Sequence, residues 1–514
     1  MSKILMMSFI FMFKISFAQS NPHKNITISI NNRPNEPTIC IHAKDSQVMM
    51  AATNIDNIYI SKDGGLNWSE KKISSKYGVW GDPVIISDTS GAFYFFHLSN
   101  PQDGNWIDRI VCQRSDDLGT NWTTGTYMGL NGEKAQDKHW AIVNEKNNDI
   151  YVTWTQFDKY GSKSSAHKSS ILFSCSNDQG KNWSKPIKIN QMDGDCIDSD
   201  NTTEGAVPAV GPEGEIYVSW AGPDGLVFDR SLDGGKTWLD KDIKIDPFVG
   251  GWDIDIPGIH RSNGMPVTVC DLSQGPNRGT IYVNWADQRN GTDDTDIWMV
   301  QSKDKGNTWS EPVKVNNDEG KAHQFLTWMD VDDSNGDIYC VFYDRRALKG
   351  EWTNVYLARS TDGGLTFQNH QINDEPFLPE AAIFFGDYNN ISVKNGMIRP
   401  IWTRLHEGSL SIKTALIDPI SLDNETVYTN TETTTEKSEK KLFVSFKLKQ
   451  KESLSLKILD AKNKCLKTVF KSKKFESGKY ILEFTKEDLG LRQGTFNYEI
   501  KTKSAILKKG EFTF

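Results

Sequence analysis

The sequence predicts an all-β protein, a β-propeller of repeated four-stranded units followed by a small C-terminal β-sandwich. Three observations carry that expectation. A polar turn motif, Ser-x-Asp-x-Gly-x-x-Trp, occurs six times at intervals of 54 to 71 residues. Short strand-like runs precede every copy, and repeats of roughly 40–60 residues rich in short strands read as propeller blades. Aromatic residues reach 11 % of the chain, which suits units plugged by tryptophan.

The six copies are Ser61/Asp63/Gly65/Trp68, Ser115/Asp117/Gly119/Trp122, Ser176/Asp178/Gly180/Trp183, Ser231/Asp233/Gly235/Trp238, Ser302/Asp304/Gly306/Trp309 and Ser360/Asp362/Gly364, the last with Phe367 in place of Trp. In a tight hairpin the Asp carboxylate accepts backbone N–H bonds, Gly supplies positive φ, and the indole folds back as an apolar plug. These aspartates are therefore expected to staple turns and to do no chemistry. Upstream of each copy two more strands are expected. The inner ones are read at Pro37–Ile41, Pro83–Ile86, His139–Val143, Val207–Val210, Ile256–Ile259 and Leu326–Met329. The second are Tyr-rich, as in Tyr151–Trp154, Tyr217–Trp220 and Tyr282–Trp285. After the sixth copy the pattern starts again at Tyr388–Val393, Ile398–Trp402 and Leu410–Thr414, with Ile26–Ile30 available as a fourth strand. Closing the ring in that way removes an exposed sheet edge. Seven blades are favoured, with six as the alternative.

Residues 1–18 carry Lys3, an apolar run and Ser16-Phe17-Ala18, the pattern of a cleaved secretory signal peptide. The expected organisation is a signal peptide over 1–18, the propeller over 19–417, a Thr/Glu/Lys-rich linker over 418–441 and a sandwich over 442–514. An exported, monomeric protein follows, with no transmembrane segment. A net charge of −8 argues against nucleic acid as a partner. The seven cysteines show no C-x-x-C pairing and read as small buried apolar residues.

In a propeller, inner strands begin and second strands end on one face, around the channel mouth. At the inner-strand starts stand Glu36, Asp82, Asp137-Lys138, Glu204, Asp253 and Asp255, Gln324, and Asp387-Tyr388. Acids recurring at one structural position beside apolar strands suit glycosidic acid/base work, since unpaired buried acids are costly. At the second-strand ends stand His97, Asp287 with Arg289, Asp344 with Arg345, and Arg404. Guanidinium groups there suit an anionic sugar, held through bidentate bonds. The bland alternative is that Asp–Arg neighbours lock adjacent blades. No cofactor is required. A structural Ca²⁺ is compatible with the rim acids, or with Asp293-Asp294-Thr-Asp296.

The repeated motif resembles the Asp-box (BNR) repeat of sialidases and related propellers. More widely, Trp80–Pro83, Asp137–Trp140, Trp285–Arg289, His323–Phe325, Phe342–Arg346 and Phe385–Tyr388 are similar to exported bacterial exo-α-sialidase-like glycosyl hydrolases, over Asn35 to Leu416. The resemblance implies a secreted, retaining hydrolase of terminal, anionic sugars. By chemical analogy Tyr388 would be nucleophile, with Asp387 or Glu36 activating it, and Asp82 acid/base. Arg289, Arg345 and Arg404 would grip the carboxylate, and Asp137, Lys138, Glu204, Asp287 and Asp344 would line the substrate site. The family's early Arg-Ile-Pro signature is absent, Arg33-Pro34 lacking the intervening Ile. The C-terminal segment looks like the immunoglobulin-like modules that serve as sorting tails in gliding-type bacterial secretion, without the glycine that usually follows Asp460. A passive accessory sandwich is the alternative. Two other functions stay open: a non-catalytic propeller binding glycan or protein, and a polysaccharide lyase using Tyr388 with His97 or His139.

Overall fold

The computed structural model describes residues 23–423 and, within 441–513, all but 449, 461, 476, 477, 493, 504 and 505. The signal peptide expected over 1–18 and most of the expected linker lie outside the described residues. The chain forms two compact units, Met1–Asp418 and Pro419–Phe514.

The first unit is propeller-like: seven four-stranded antiparallel sheets, six of them simple meanders. The inner strands are Thr38–Ile41, Gly81–Ser87, Ala135–Asn144, Glu204–Val210, Val267–Cys270, Gln324–Val331 and Asn390–Lys394. Each packs beside the next, and the seventh packs beside the first, so the ring closes. The seventh sheet takes its outer strand from the N-terminus, Lys24–Ser29 pairing antiparallel with Ser409–Leu416 (Ile26 opposite Thr414). Second strands bury their large aromatics completely, among them Trp154, Trp220, Trp285 and Trp402. Burying each such ring contributes roughly 1.5–3 kcal/mol.

One expected element is corrected. The fifth inner strand is Val267–Cys270, not Ile256–Ile259. Pro257-Gly258 makes a turn, with Gly258 at φ +77° and the Ile259 N–H donating to the Ile256 carbonyl at 3.0 Å. Proline removes a ladder donor and glycine takes the left-handed conformation, so this apolar tetrapeptide reverses direction. The segment is an insertion whose two-residue ribbon pairs Asp253–Ile254 with Ser262–Asn263.

The six motif turns share one geometry. In the first, Ser61 Oγ donates to Asp63 Oδ1 at 2.9 Å, the Gly65 N–H donates to Ser61 Oγ at 2.9 Å, and the Asn67 N–H donates to Asp63 Oδ1 at 2.9 Å. The Asn67 side-chain amide, donating to Asp63 Oδ2 at 2.7 Å, then the Asn67 N–H and the Ser61 hydroxyl, hold the Asp63 carboxyl below its ordinary range. The turns also join sheets. Trp238 packs on Phe173 of the preceding sheet and Trp309 on Phe228, each with ring centroids 5.0 Å apart. Arg399, in the seventh sheet, donates through Nε to the Gly64 carbonyl of the first turn at 2.9 Å.

In the second unit, Lys441–Leu448 pairs with Gly478–Thr485, and a four-stranded sheet runs in the order Cys465–Phe475, Glu452–Leu459, Thr495–Lys501, Ile506–Thr513. Leu454, Leu456, Ile458, Tyr498 and Ile500 form its core. Among the described residues all seven cysteines are free, and no helix is long and apolar enough to cross a membrane.

Candidate functional site

The mouth of the ring is built by a repeated irregularity. The inner strands of the second, third, fourth and sixth sheets each shift register near their start, between Gly81 and Val84, Asp137 and Trp140, Glu204 and Val207, Phe325 and Trp328. Inside each bulge sits a residue at positive φ: Asp82 (+50°), Lys138 (+47°), Gly205 (+78°) and Leu326 (+49°). Glu36, before the first inner strand, has φ +51°. A bulge re-aims side chains, and a bulky residue in this region costs of order 1–3 kcal/mol. Here it turns polar groups out of the sheet and into the mouth.

The result is a buried ionic floor. Lys138 Nζ lies 2.8 Å from Asp387 Oδ2 and 3.4 Å from Asp82 Oδ2. Arg261, from the insertion, donates through Nε to Asp387 Oδ1 at 2.8 Å, and a second N–H meets Asp387 Oδ2. Its Nη1 reaches Asp198 Oδ2 at 3.0 Å. The Asp387 N–H donates to Glu36 Oε1 at 3.1 Å, Asn54 Nδ2 donates to Glu36 Oε2, and the Asp82 N–H donates to Asn54 Oδ1 at 2.8 Å. Asn263 Nδ2 holds the Asp387 carbonyl at 2.8 Å. Four sheets and the insertion thus meet at two cations.

Protonation states separate within this cluster. Burial works to raise the Asp387 pKa, but Lys138 and Arg261 outweigh it and hold the carboxyl well below its usual range. Glu36 is pushed well up by burial, then by Asp82. Asp137 is raised to about 7, by burial first, with Lys138 opposing and Asp82 and Asp198 adding to the rise. Glu204 is pushed well up by burial, then by Asp198 and Asp137. With no cation paired to it and Asp198 beside it, the Glu204 carboxyl favours its protonated form. Carboxyls whose environments drive their pKa values apart are the usual material of acid/base sites.

The Asp137 shift has a consequence for stability. Its folded pKa stands above the unfolded one, so the stability it contributes is full below about pH 4 and is lost as pH rises through about 7. Denaturant titrations of the parent and Asp137→Asn between pH 4 and 9 should diverge by on the order of 2–4 kcal/mol, the variant gaining with pH. Parallel curves would refute the shift.

Several expected site residues lie elsewhere. Tyr388 is buried between Trp140 (centroids 5.0 Å apart) and Trp328 (6.4 Å), and its hydroxyl has no hydrogen-bond partner. It lines a channel cavity of about 30 Å³ with Lys138, Val207 and Met265, room for only one or two waters. Burial pushes its pKa well up. This geometry does not support the expected nucleophilic role: no hydrogen bond joins the phenol to a carboxyl, and the ring is packed between two indoles. Tyr388→Phe should leave both stability and activity within about twofold, because the lost hydroxyl makes no bond; a loss of tenfold or more in kcat would restore the nucleophile.

The arginine grip is corrected too. Arg289 pairs with Asp287 (Nη2 to Oδ2, 2.5 Å) and Asp246 (2.9 Å) and stacks over Trp298 at 4.5 Å. Asp344 is held by Arg346 at 2.6 Å. Arg345 is buried beneath the insertion, its Nη1 donating to the Pro257 carbonyl at 2.7 Å. Arg404 faces Glu375 at 3.7 Å. Each guanidinium is held within its own sheet or against a neighbouring loop, and no hydrogen bond or ion pair links it to the floor. His97 and His139 are lowered to about 4 by burial, so both are neutral. The Asp293/Asp294/Asp296 loop is divided among Lys321, the Ala322 N–H and Lys314. Among the described residues no group of three or more His, Cys, Asp and Glu is placed to hold a metal ion.

Sequence reasoning missed Arg261, Asp198, Asn54, Asn263 and Tyr160. The 71-residue interval between Ser231 and Ser302, the widest of the five, was the available sign of an insertion. Tyr160 carries the mouth outward. Its hydroxyl donates to Asp198 Oδ2 at 2.6 Å, its ring meets Trp106 at 5.5 Å, and Trp106 meets Trp80 at 6.1 Å. Trp80 and Trp106 are 41 % and 43 % exposed. An aromatic shelf thus leads from solvent to the Asp198–Arg261–Asp387 chain.

Neither a family model nor a curated protein sequence matches the chain. Among solved structures it is similar to a Hadza microbial sialidase (TM-score 0.40, 14 % identity, 72 % of this chain and 73 % of that one). It is also similar to an ulvan lyase of a polysaccharide lyase family (0.45, 15 %, 79 % and 97 %). A third is an α-L-arabinofuranosidase from Fusarium graminearum (0.44, 13 %, 79 % and 99 %).

Proposed function

We propose that the protein is an exported, monomeric seven-bladed propeller of the Asp-box kind. It cleaves neutral sugars from glycans by carboxyl acid/base chemistry at the channel mouth. The observation that carries this reading is the juxtaposition of the Trp80–Trp106–Tyr160 shelf, its two tryptophans exposed, with a cluster of carboxyls whose pKa values are driven apart. Flat aromatic faces with polar groups at one end suit the apolar face and hydroxyl edge of a pyranose or furanose ring. Asp137, with a pKa of about 7, is suited to donate a proton to a leaving-group oxygen near neutral pH. The floor of Lys138 and Asp387 fixes the geometry beneath it.

A neutral sugar is favoured over a sialic acid because both cations of the mouth are already matched by carboxylates. Neither is left unpaired for a substrate's carboxylate. No cofactor enters this chemistry.

The test is a fluorogenic panel of neutral hexosides and pentosides beside a sialoside and a uronide. Turnover of a neutral glycoside should fall at least 100-fold in kcat in Asp137→Asn. Trp106→Ala should raise KM several-fold and leave kcat largely intact, since the shelf binds ground and transition states alike. Sialoside turnover that disappears in Arg261→Gln would overturn the neutral-sugar reading. Silence on every substrate, together with neutral-oligosaccharide binding that Trp106→Ala abolishes, would make the protein a binding module.

A further inference from the structure

The C-terminal unit carries a charge opposite to that of the rest of the chain. Residues 441–514 hold 18 Lys and Arg against 8 Asp and Glu, a balance of +10 within a chain of net −8, which leaves −18 on the first 440 residues. Seventeen of the eighteen cations are lysines. In the four-stranded sheet the edge strand Cys465–Phe475 carries Lys467, Lys471, Lys473 and Lys474, and the opposite edge strand Ile506–Thr513 carries Lys508 and Lys509.

The basic groups converge at one end of this sheet. Glu452 pairs with Phe475 where one strand starts and its neighbour ends, and Ser455 pairs with Lys501 near the end of the third. At that corner a cleft of about 400 Å³ is lined by Lys451, Lys474 and Lys503, with Ser453, Thr502 and a single acid, Glu452. Lysine on an edge strand guards against edge-to-edge pairing, which accounts for the strands. It does not account for Lys451 and Lys503, which stand outside the strands, or for so one-sided a balance.

We propose that this unit is a docking module for a linear anionic polysaccharide, one bearing sulfate or uronate groups. The polymer would lie along the edge strand and enter the lysine-lined cleft. An eleven-residue strand extends over roughly 36 Å, a track that matches a chain of repeated charges better than a single headgroup. Lysine ammonium groups act as hydrated point charges, so the attraction is Coulombic, tolerant of sequence and sensitive to salt. The −18 on the remaining chain repels the same polymer, so any retention of the whole protein has to come from the C-terminal unit.

The experiment uses the full exported chain on a sulfated-polysaccharide column with a salt gradient, and dextran sulfate in solution. The parent should be retained, should bind dextran sulfate but not neutral dextran, and should lose affinity steeply between 50 and 300 mM salt. The double reversal Lys474→Glu/Lys503→Glu should lower affinity at least tenfold with the thermal midpoint unchanged. Reversing two exposed propeller lysines, Lys181 and Lys236, should change affinity less than twofold. Passage of the parent without retention overturns the proposal, as does a reversal variant that elutes with the parent. Tighter binding to vesicles rich in anionic phospholipid than to dextran sulfate of equal charge also overturns it, in favour of a membrane surface.

Discussion

Replacing Lys138 with Met should destabilise the propeller by roughly 3–5 kcal/mol at neutral pH, the cost of removing one partner from a buried ion cluster. Its ammonium is flanked by Asp387 at 2.8 Å and Asp82 at 3.4 Å, and Asp137 and Glu36 add to the field that keeps it charged. Without it, Arg261 alone faces Asp387. The sign of the pH dependence follows from Asp387. Its folded pKa lies below the unfolded one, so the stability it contributes is present above the unfolded value and is lost as pH falls. That contribution shrinks when Lys138 is gone, so the gap between parent and variant should hold from pH 7 down to about pH 4, the unfolded value, and narrow as pH falls further. Denaturant melts at pH 7 and at about pH 2.5 measure both gaps. A gap that stays constant would mean that Lys138 acts through packing alone. The double variant with Asp387→Asn should recover part of the loss, since it removes a buried carboxylate that one cation, Arg261, then faces in place of two.

The second large effect is expected far from the mouth. Gly306→Ala should cost roughly 2–4 kcal/mol, although it adds a single methyl group. Gly306 holds φ +84° in the fifth motif turn. A Cβ there would lie 2.2 Å from Cε1 of Phe228, in the core of the fourth sheet. Phe228 is pinned in turn by Trp309 at 5.0 Å and Tyr217 at 6.1 Å, so it has no room to yield. Gly320→Ala is the control: that glycine has nothing within 4 Å of an added Cβ, and its substitution should be neutral within about 0.5 kcal/mol. Equal effects at the two positions would show that the turn does not couple neighbouring sheets.

These two sites differ in how visible they were before folding. The motif turns were legible because their chemistry is local. Ser61, Asp63, Gly65 and Asn67 make their bonds within seven residues, and such bonds depend on little beyond the segment itself. The strands upstream were legible for the same reason, since alternation and β-branched runs act at short range. Where a local signal pointed the wrong way, at Ile256-Pro-Gly-Ile259, apolar composition outweighed turn chemistry that was equally present in the sequence. In the C-terminal unit the strands Cys465–Phe475 and Ile506–Thr513 carry only a weak local signal, because their lysines blur the two-residue period.

Of the mouth, the sequence exposed the carboxyls but not their partners. Glu36, Asp82, Asp137, Glu204 and Asp387 all precede or open inner strands, a position that the repeat itself marks. Arg261, 126 residues from Asp387 along the chain, reaches the mouth only because an insertion in one sheet folds back across the ring. Likewise, whether an arginine is available to a ligand depends on which carboxylate lies beside it in space: Arg289 is neutralised by Asp287 and Asp246, the second of them 43 residues away. By itself, then, the sequence determined the repeated turns, the strand order within most sheets and the ring of acids, because each is encoded within a few residues. Tertiary structure alone decided which of those acids are ionised, which cations hold them and why Tyr388 is shut away between two tryptophans, because charge, burial and access are set by neighbours that only the closed ring brings together.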